Sequence, residues 1–148
     1  MNSNTFLVEE IVDGLVCELM LGVIRDTVDG FILTLAAGGV MTKLMCDQVS
    51  QVLPVNRKDV VEALCSLKIY KVLSGYGGTT KAHLDSIVQA VLAVQCYVLD
   101  HVNEIEINPL IETAQRAIAV DAPIRKGESD AQCSNKNAKK WADIAGHY

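Results

Sequence analysis

The chain has 148 residues, of which 50% are hydrophobic and 21% are charged, as expected for one packed domain. This length excludes a complete multidomain enzyme. The 18 acidic and 13 basic residues give a net charge of -5, the wrong sign for a surface that neutralises nucleic-acid phosphates. We therefore expect a single globular domain without a nucleic-acid partner.

The cysteines and the apolar segments bear on the cellular compartment. The five cysteines are odd in number and scattered, with no Cys-x-x-Cys pair, which is typical of a protein in a reducing compartment. Residues 1–5 lack the charged and apolar pattern of a signal peptide, and the most apolar stretch, Ile87 to Leu99, is too short to cross a bilayer. We expect a cytoplasmic protein that does not contact a membrane.

The first part of the chain has the pattern of strands separated by turns. Apolar runs extend from Phe6 to Ile11, from Val16 to Ile24 and from Phe31 to Ala36. Asp29-Gly30 separates the second run from the third, and an Asp-Gly pair between two strands is a hairpin signal. These runs predict three strands, of which the last two form an antiparallel hairpin.

Two helices are predicted next, after a segment from Val40 to Leu53 whose periodicity indicates neither helix nor strand. Asn56 is a plausible helix cap, and apolar residues follow it at helical spacing as far as Val72. The glycine-rich segment Gly75 to Gly78 ends that helix. The second helix, from about Lys81 to Leu99, has a wide apolar face and is expected to form the core of the domain.

A final pair of strands is predicted at Glu104 to Asn108 and at Ala117 to Asp121, joined by Pro109 to Arg116. Strands, then helices, then strands indicate an α+β architecture, a mostly antiparallel sheet with helices packed on one face. The polar segment from Arg125 to Tyr148 is expected to be a loosely ordered tail.

The strand from Glu104 carries the residues most suggestive of chemistry. Side chains alternate across a strand, so Ile105 and Ile107 are expected in the core, with Glu104, Glu106 and Asn108 on the opposite face. In the second strand of the pair, Ala117, Ala119 and Asp121 share one face, and the two alanines would leave space above the sheet.

Pairing of these two strands would bring Asp121 near Asn108 or Glu106. Such a group of oxygen ligands suits Mg²⁺, which is normally held by a few protein oxygens together with substrate phosphates. The alternative is a half-buried strand whose polar face meets water, and the alternation by itself favours this second interpretation.

Eight segments, in this order, resemble the ATP-grasp part of ADP-forming acyl-CoA synthetases. They are Leu7 to Glu10, Glu18 to Asp26, Gly38 to Val40, Asp47, Leu53-Pro54, Leu73 to Gly78, Glu104 to Leu110 and Ala119 to Ala122. The resemblance implies an ATP-grasp C-terminal subdomain at residues 6–124, followed by the tail at 125–148. Succinyl-CoA synthetase β subunits share the same ending and are the nearest alternative.

The resemblance implies an enzyme that interconverts acyl-CoA, ADP and phosphate with the free acid, CoA and ATP. In this family a phosphohistidine on another domain carries the phosphoryl group. The matching positions imply that Asn108 and Asp121 are Mg²⁺ ligands with Glu106 beside them. They also imply that Glu10 lies near the hinge strand that meets the adenine, and that Glu18 faces the ribose. ATP or ADP is the implied nucleotide.

The resemblance also implies that other parts of the enzyme are needed. An ATP-grasp site is a cleft between two subdomains, so the expected partners are the N-terminal ATP-grasp half and the CoA-binding and ligase domains. The chain alone is expected to be inactive and to self-associate as a homo-oligomer through the surface that those partners would cover.

Glu106 stands where the family more usually has an aspartate, a mild change that keeps the carboxylate, and two further positions depart from the family pattern more strongly. Lys43 replaces a common glutamate, and Gly77 replaces the arginine of a Gly-Tyr-Arg-Gly loop. These departures favour a second hypothesis, in which the chain is a non-catalytic remnant or interaction module that keeps the fold without the site.

Overall fold

The computed structural model describes residues 6, 8–39, 46–98 and 102–126. They form one antiparallel sheet of six strands, in the order β3-β2-β1-β4-β5, with β6 also paired to β4. The strands are β1 (Leu15–Asp26), β2 (Gly30–Ala37), β3 (Gln48–Val52), β4 (Val102–Thr113), β5 (Ala117–Ala119) and β6 (Ile124–Lys126). The helices are α1 (Arg57–Ser66), α2 (Tyr70–Leu73) and α3 (Leu84–Val98), with a 3₁₀ turn at Tyr76–Gly78.

The hairpin of β1 and β2 confirms the prediction made from its turn signal. The Asp26 carboxylate accepts the backbone N–H groups of Val28 at 2.7 Å and Asp29 at 2.9 Å, which closes the turn. From there the two strands pair without interruption from Asp26 opposite Gly30 to Leu19 opposite Ala37.

The first predicted helix is correct at its start and wrong at its end. The Asn56 side chain accepts the N–H groups of Lys58 and Asp59, and the Asp59 carboxylate accepts the N–H of Asn56, so a capping box begins α1. The chain leaves the helical conformation at Leu67, and Val72 belongs to the separate helix α2. The buried Asp47 carboxylate stabilises this break, because it accepts the N–H groups of residues 68 and 69, each at 2.8 Å.

The helices cover one face of the sheet. Leu19, Leu21 and Val23 of β1 are buried in the same core as Ile87 and Val91 of α3. The opposite face of the sheet has no helix on it among the described residues. The predicted α+β class, with an antiparallel sheet and helices on one face, is therefore confirmed.

Two predictions for the N-terminal part are corrected. No strand forms in residues 6 and 8–13, where Phe6, Val8 and Ile11 are all more than 80% exposed. An apolar run becomes a strand only when a neighbouring strand pairs with it, and this run has no such neighbour in the described structure. The unassigned segment from Val40 to Leu53 contains β3, which pairs with β2 through residues 48–52.

The C-terminal strands also differ from the prediction. The segment Pro109 to Arg116 is not a connection, because β4 continues to Thr113 and only residues 114–116 form the turn. Arg125 and Lys126, predicted to begin the tail, belong to β6. The rest of the predicted tail, residues 127–148, lies outside the described residues.

Candidate functional site

The candidate site lies on the face of the sheet that the helices leave uncovered. Since side chains alternate along a strand, Glu18, Met20 and Gly22 of β1 lie on this face while Leu19 and Leu21 enter the core. In β4, Ile105 and Ile107 are buried, as predicted, and Glu106 is on the open face.

A β-bulge interrupts the alternation of β4 where it passes Met20. Leu21 pairs with Ile107 and Leu19 pairs with Leu110, so Met20 faces two residues, Asn108 and Pro109, joined by a cis peptide bond. Asn108 remains beside Glu106, because its Nδ2 donates to Glu106 Oε1 at 3.1 Å. Beyond the bulge the alternation is reversed, and Leu110 is buried.

Asp121 lies directly opposite Asn108. The Asn108 N–H donates to the Asp121 carbonyl at 3.1 Å, and the Glu106 N–H donates to the Pro123 carbonyl at 3.2 Å. Residues 121–123 therefore continue alongside β4 although β5 itself ends at Ala119. The two segments therefore pair as predicted, and the backbone of Asp121 lies beside that of Asn108, two residues along β4 from Glu106.

The predicted role of the alanines in β5 is wrong. Ala117 pairs with Glu112 and packs against the core, so it leaves no space above the open face. The space is supplied instead by Gly22, which lies between Glu106 of β4 and Thr34 of β2 in the sheet.

A depression of about 170 Å³ lies over Gly22, because this residue has no side chain. The Thr34 and Ser50 hydroxyl groups, 2.9 Å apart, hydrogen bond on the same face. The depression thus adjoins the oxygen-bearing side chains of β4. Its lining consists of Met20, Gly22, Val23, Ile24, Ile32, Thr34, Glu104, Ile105 and Glu106.

The two residues predicted to meet the nucleotide base and sugar occupy different settings. Glu18 is half-buried in β1, and its carbonyl accepts the N–H of Gly38 at 2.8 Å. Glu10 precedes β1 on an extended segment, is exposed, and forms an ion pair with Arg116. Glu18 is therefore on the open face of the sheet, whereas Glu10 contacts the turn before β5.

Glu112 is a buried titratable residue that the sequence did not reveal. It lies on the core side of β4, opposite Cys17, and is fully buried. Neither of its carboxylate oxygens has a hydrogen-bond partner in the part of the chain that the structure describes. Burial raises the pKa of Glu112 to about 8. Strict alternation from Glu104 would have placed it on the open face, so only the bulge explains its burial.

Metal clusters and membrane-spanning helices can also be checked in the described residues, as can one of the two positions that depart more strongly from the family pattern. Within residues 6, 8–39, 46–98 and 102–126, no three His, Cys, Asp or Glu side chains gather as a metal cluster. No helix in these residues has the length and apolar character needed to span a membrane. Gly77 is exposed in the 3₁₀ turn with a φ of 70°, which favours glycine there, and Lys43 lies outside the described residues.

Several known proteins are similar to this chain in sequence and in fold. The family model of the ATP-grasp domain matches residues 1–125. Subunit beta of acetate–CoA ligase [ADP-forming] I from Pyrococcus furiosus is 29% identical over 107 residues, which are 71% of this chain and 46% of that protein. Acetate–CoA ligase [ADP-forming] I from Archaeoglobus fulgidus is 33% identical over 106 residues, 70% of this chain and 15% of that protein.

A solved structure from Ca. Korarchaeum cryptofilum has the same fold. It is acetyl-coenzyme A synthetase 1, in complex with coenzyme A and Mg-AMPPCP, with its phosphohistidine segment pointing towards the nucleotide binding site. The TM-score is 0.72 at 26% identity, covering 79% of this chain and 55% of that chain. This chain thus spans about half, or less, of the proteins it matches.

Proposed function

Since the chain belongs to the ATP-grasp domain family, we propose that it is the nucleotide- and Mg²⁺-binding portion of an ADP-forming acyl-CoA synthetase. The complete enzyme would convert an acid, CoA and ATP into acyl-CoA, ADP and phosphate through a phosphohistidine on another domain. The relatives named above are acetate–CoA ligases, and this chain covers only a part of each. The proposal therefore includes partner domains that complete the cleft and supply the CoA site.

The hydrogen bond from Asn108 N–H to the Asp121 carbonyl is the main support for the site. It holds the two segments side by side, which supports a site in which Glu106, Asn108 and Asp121 would supply oxygen atoms. Residues on a strand, or hydrogen bonded to one through the backbone, are better fixed than residues on an unpaired loop, which suits a site that must hold phosphates in position.

The donor atoms fit Mg²⁺. The amide nitrogen of Asn108 is used in its bond to Glu106 Oε1, which leaves the amide oxygen as the atom of Asn108 for a cation. Mg²⁺ prefers oxygen ligands and takes few of them from the protein when phosphates supply the others. Asn108 and Asp121 would hold the ion, with Glu106 beside them. A bound Mg²⁺ would neutralise negative charge on the phosphates during phosphoryl transfer.

Glu10 and Glu18 are assigned to the nucleotide in this proposal. Glu18 lies on the open face and would accept hydrogen bonds from the ribose. Glu10 precedes β1, where its ion pair with Arg116 ties the extended segment to the turn before β5. In this position Glu10 would border the adenine.

Paramagnetic Mn²⁺, used in place of Mg²⁺, tests the metal site in the chain alone. We expect selective NMR broadening of the amide signals of residues 106–108 and 121, and loss of this broadening in Asp121→Asn. Asp29→Asn is the matched control, because Asp29 is an exposed carboxylate in the hairpin turn. Uniform weak broadening, or the same pattern in Asp121→Asn, would contradict the metal assignment.

Calorimetry with Mg-AMPPCP tests the nucleotide assignment. We expect weak binding or none to the chain alone, and binding once the remaining synthetase domains are added as a second chain. Absence of binding in the mixture would favour the second hypothesis, a non-catalytic module, which the departures at Lys43 and Gly77 support.

A further inference from the structure

We propose that Gly39 is a positioning residue that sets the Glu18 carboxylate for the hydroxyl groups of a nucleotide ribose. This inference rests on the proposed function, because it concerns how the same site selects its nucleotide. It assigns a role to a glycine whose closest approach is to the carboxylate of Glu18.

The chain after β2 passes very close to β1 at Glu18. A methyl group on Gly38 would lie 2.8 Å from the carbonyl carbon of Glu18 and 2.9 Å from that of Leu19. Gly39 has a φ of 62°, and a methyl group on it would overlap Glu18 Oε2. Both glycines are therefore required by their contact with Glu18 or its backbone, in addition to any turn that they form.

The two glycines differ in what a side chain would displace. A methyl group on Gly38 would meet the backbone of β1, which cannot move without disturbing the sheet. Among the residues that the structure describes, a methyl group on Gly39 would meet the end of the Glu18 side chain, which can rotate to another staggered conformation. Gly38 thus serves the packing of the sheet, whereas Gly39 determines where the carboxylate of Glu18 lies.

The position of this carboxylate matters because of the ligand proposed for it. A carboxylate can accept hydrogen bonds from both hydroxyl groups of a ribose, and each bond requires a distance near 2.7 Å. A rotation of the Glu18 side chain would move its oxygens by more than this geometry tolerates. Gly39 would then control the preference for ribonucleotides over deoxyribonucleotides.

The first experiment measures the chain alone. Gly30→Ala is the matched control for Gly39→Ala, because Gly30 also has a positive φ, 86°, and has no atom within 4 Å of an added methyl group. We expect both variants to lose similar stability in urea, since both strain the backbone. Only Gly39→Ala should shift the NMR signal of the Glu18 side-chain carboxyl carbon. An unchanged carboxyl signal would overturn the proposal.

The second experiment measures Mg-ATP and Mg-2′-deoxy-ATP binding to the chain assembled with the remaining synthetase domains. We expect Gly39→Ala to weaken binding of both nucleotides through the 3′-hydroxyl, and to weaken ATP binding by about tenfold more, because only ATP also loses the hydrogen bond from its 2′-hydroxyl to a charged group. Gly30→Ala should bind both nucleotides like the original chain. In a Glu18→Ala background, Gly39→Ala should have no further effect.

The possible failures are distinguishable. If the assembled original chain binds no nucleotide, the proposed function fails and this inference fails with it. If it binds ATP, but Gly39→Ala binds like Gly30→Ala or weakens both nucleotides equally, only the role of Gly39 is refuted.

Discussion

Replacement of Glu112 by glutamine is expected to change how the stability of the folded chain depends on pH. The Glu112 carboxyl group is fully buried, and neither oxygen has a hydrogen-bond partner among the described residues. Burial disfavours the charged form, which raises the pKa of this group from 4.5 to about 8 in the folded state. The folded chain therefore holds a proton at pH 5 to 8 that the unfolded chain has released.

The sign of the effect follows from this difference in bound protons. Because the unfolded state binds fewer protons in this range, the free energy of unfolding falls as the pH rises from about 4.5 to about 8. With each pKa unit corresponding to 1.36 kcal/mol, the loss by pH 8 is about 4 kcal/mol. This loss is a large fraction of the total stability of a typical domain.

Glu112→Gln removes the ionisation and keeps the shape of the side chain. We expect the variant and the original chain to differ little in urea denaturation at pH 5, and the variant to be more stable by several kcal/mol at pH 8. Glu62→Gln is the control, because Glu62 is exposed on α1. Parallel pH profiles for the original chain and Glu112→Gln would refute the reasoning.

Two further predictions concern other buried groups. Gln95→Leu should lower the free energy of unfolding in urea by about 3 kcal/mol, because the Gln95 side chain hydrogen bonds both the buried N–H and the C=O of Val55. Gln89→Leu, on the exposed face of α3, is the control and should have little effect. Iodoacetamide at pH 8 should label the exposed Cys65 well before Cys17. Burial and, secondarily, Glu112 raise the pKa of the Cys17 thiol to about 12, so little of the reactive thiolate forms. Equal labelling rates of the two cysteines by mass spectrometry would contradict this prediction.

The sequence predicted those elements whose signals are local. The β1–β2 turn is closed by Asp26 within three residues, and the start of α1 is set by Asn56 and Asp59. The end of α1 was not predictable in this way, because Asp47, about twenty residues away, accepts the N–H groups that stabilise the break. The apolar run from Phe6 failed for a related reason, since a strand needs a partner that its own residues do not specify.

The candidate site was predictable as far as the alternation of β4 remained regular. The alternation of side chains along the strand predicts Glu106 and Asn108 on the open face, and the expected strand pairing predicts Asp121 beside them. Counting failed at Pro109, where the bulge adds one residue opposite Met20. The motif resemblance identified Asn108 without revealing that the strand continues beyond it.

The same bulge lies between the candidate site and the buried carboxyl group of Glu112 in β4. The bulge lies in the pairing of β4 with β1 and reverses the alternation so that Glu112 enters the core, whereas Asn108 stays opposite Asp121 in the register that pairs β4 with residues 117–119. A regular strand would instead place Glu112 on the same face as Glu106. The buried acid is therefore a consequence of the bulge, whereas the pairing of Asn108 with Asp121 does not depend on the ionisation of Glu112. From this we expect Glu112→Gln to stabilise the fold at pH 8 while leaving the Mn²⁺ broadening at residues 106–108 and 121 unchanged.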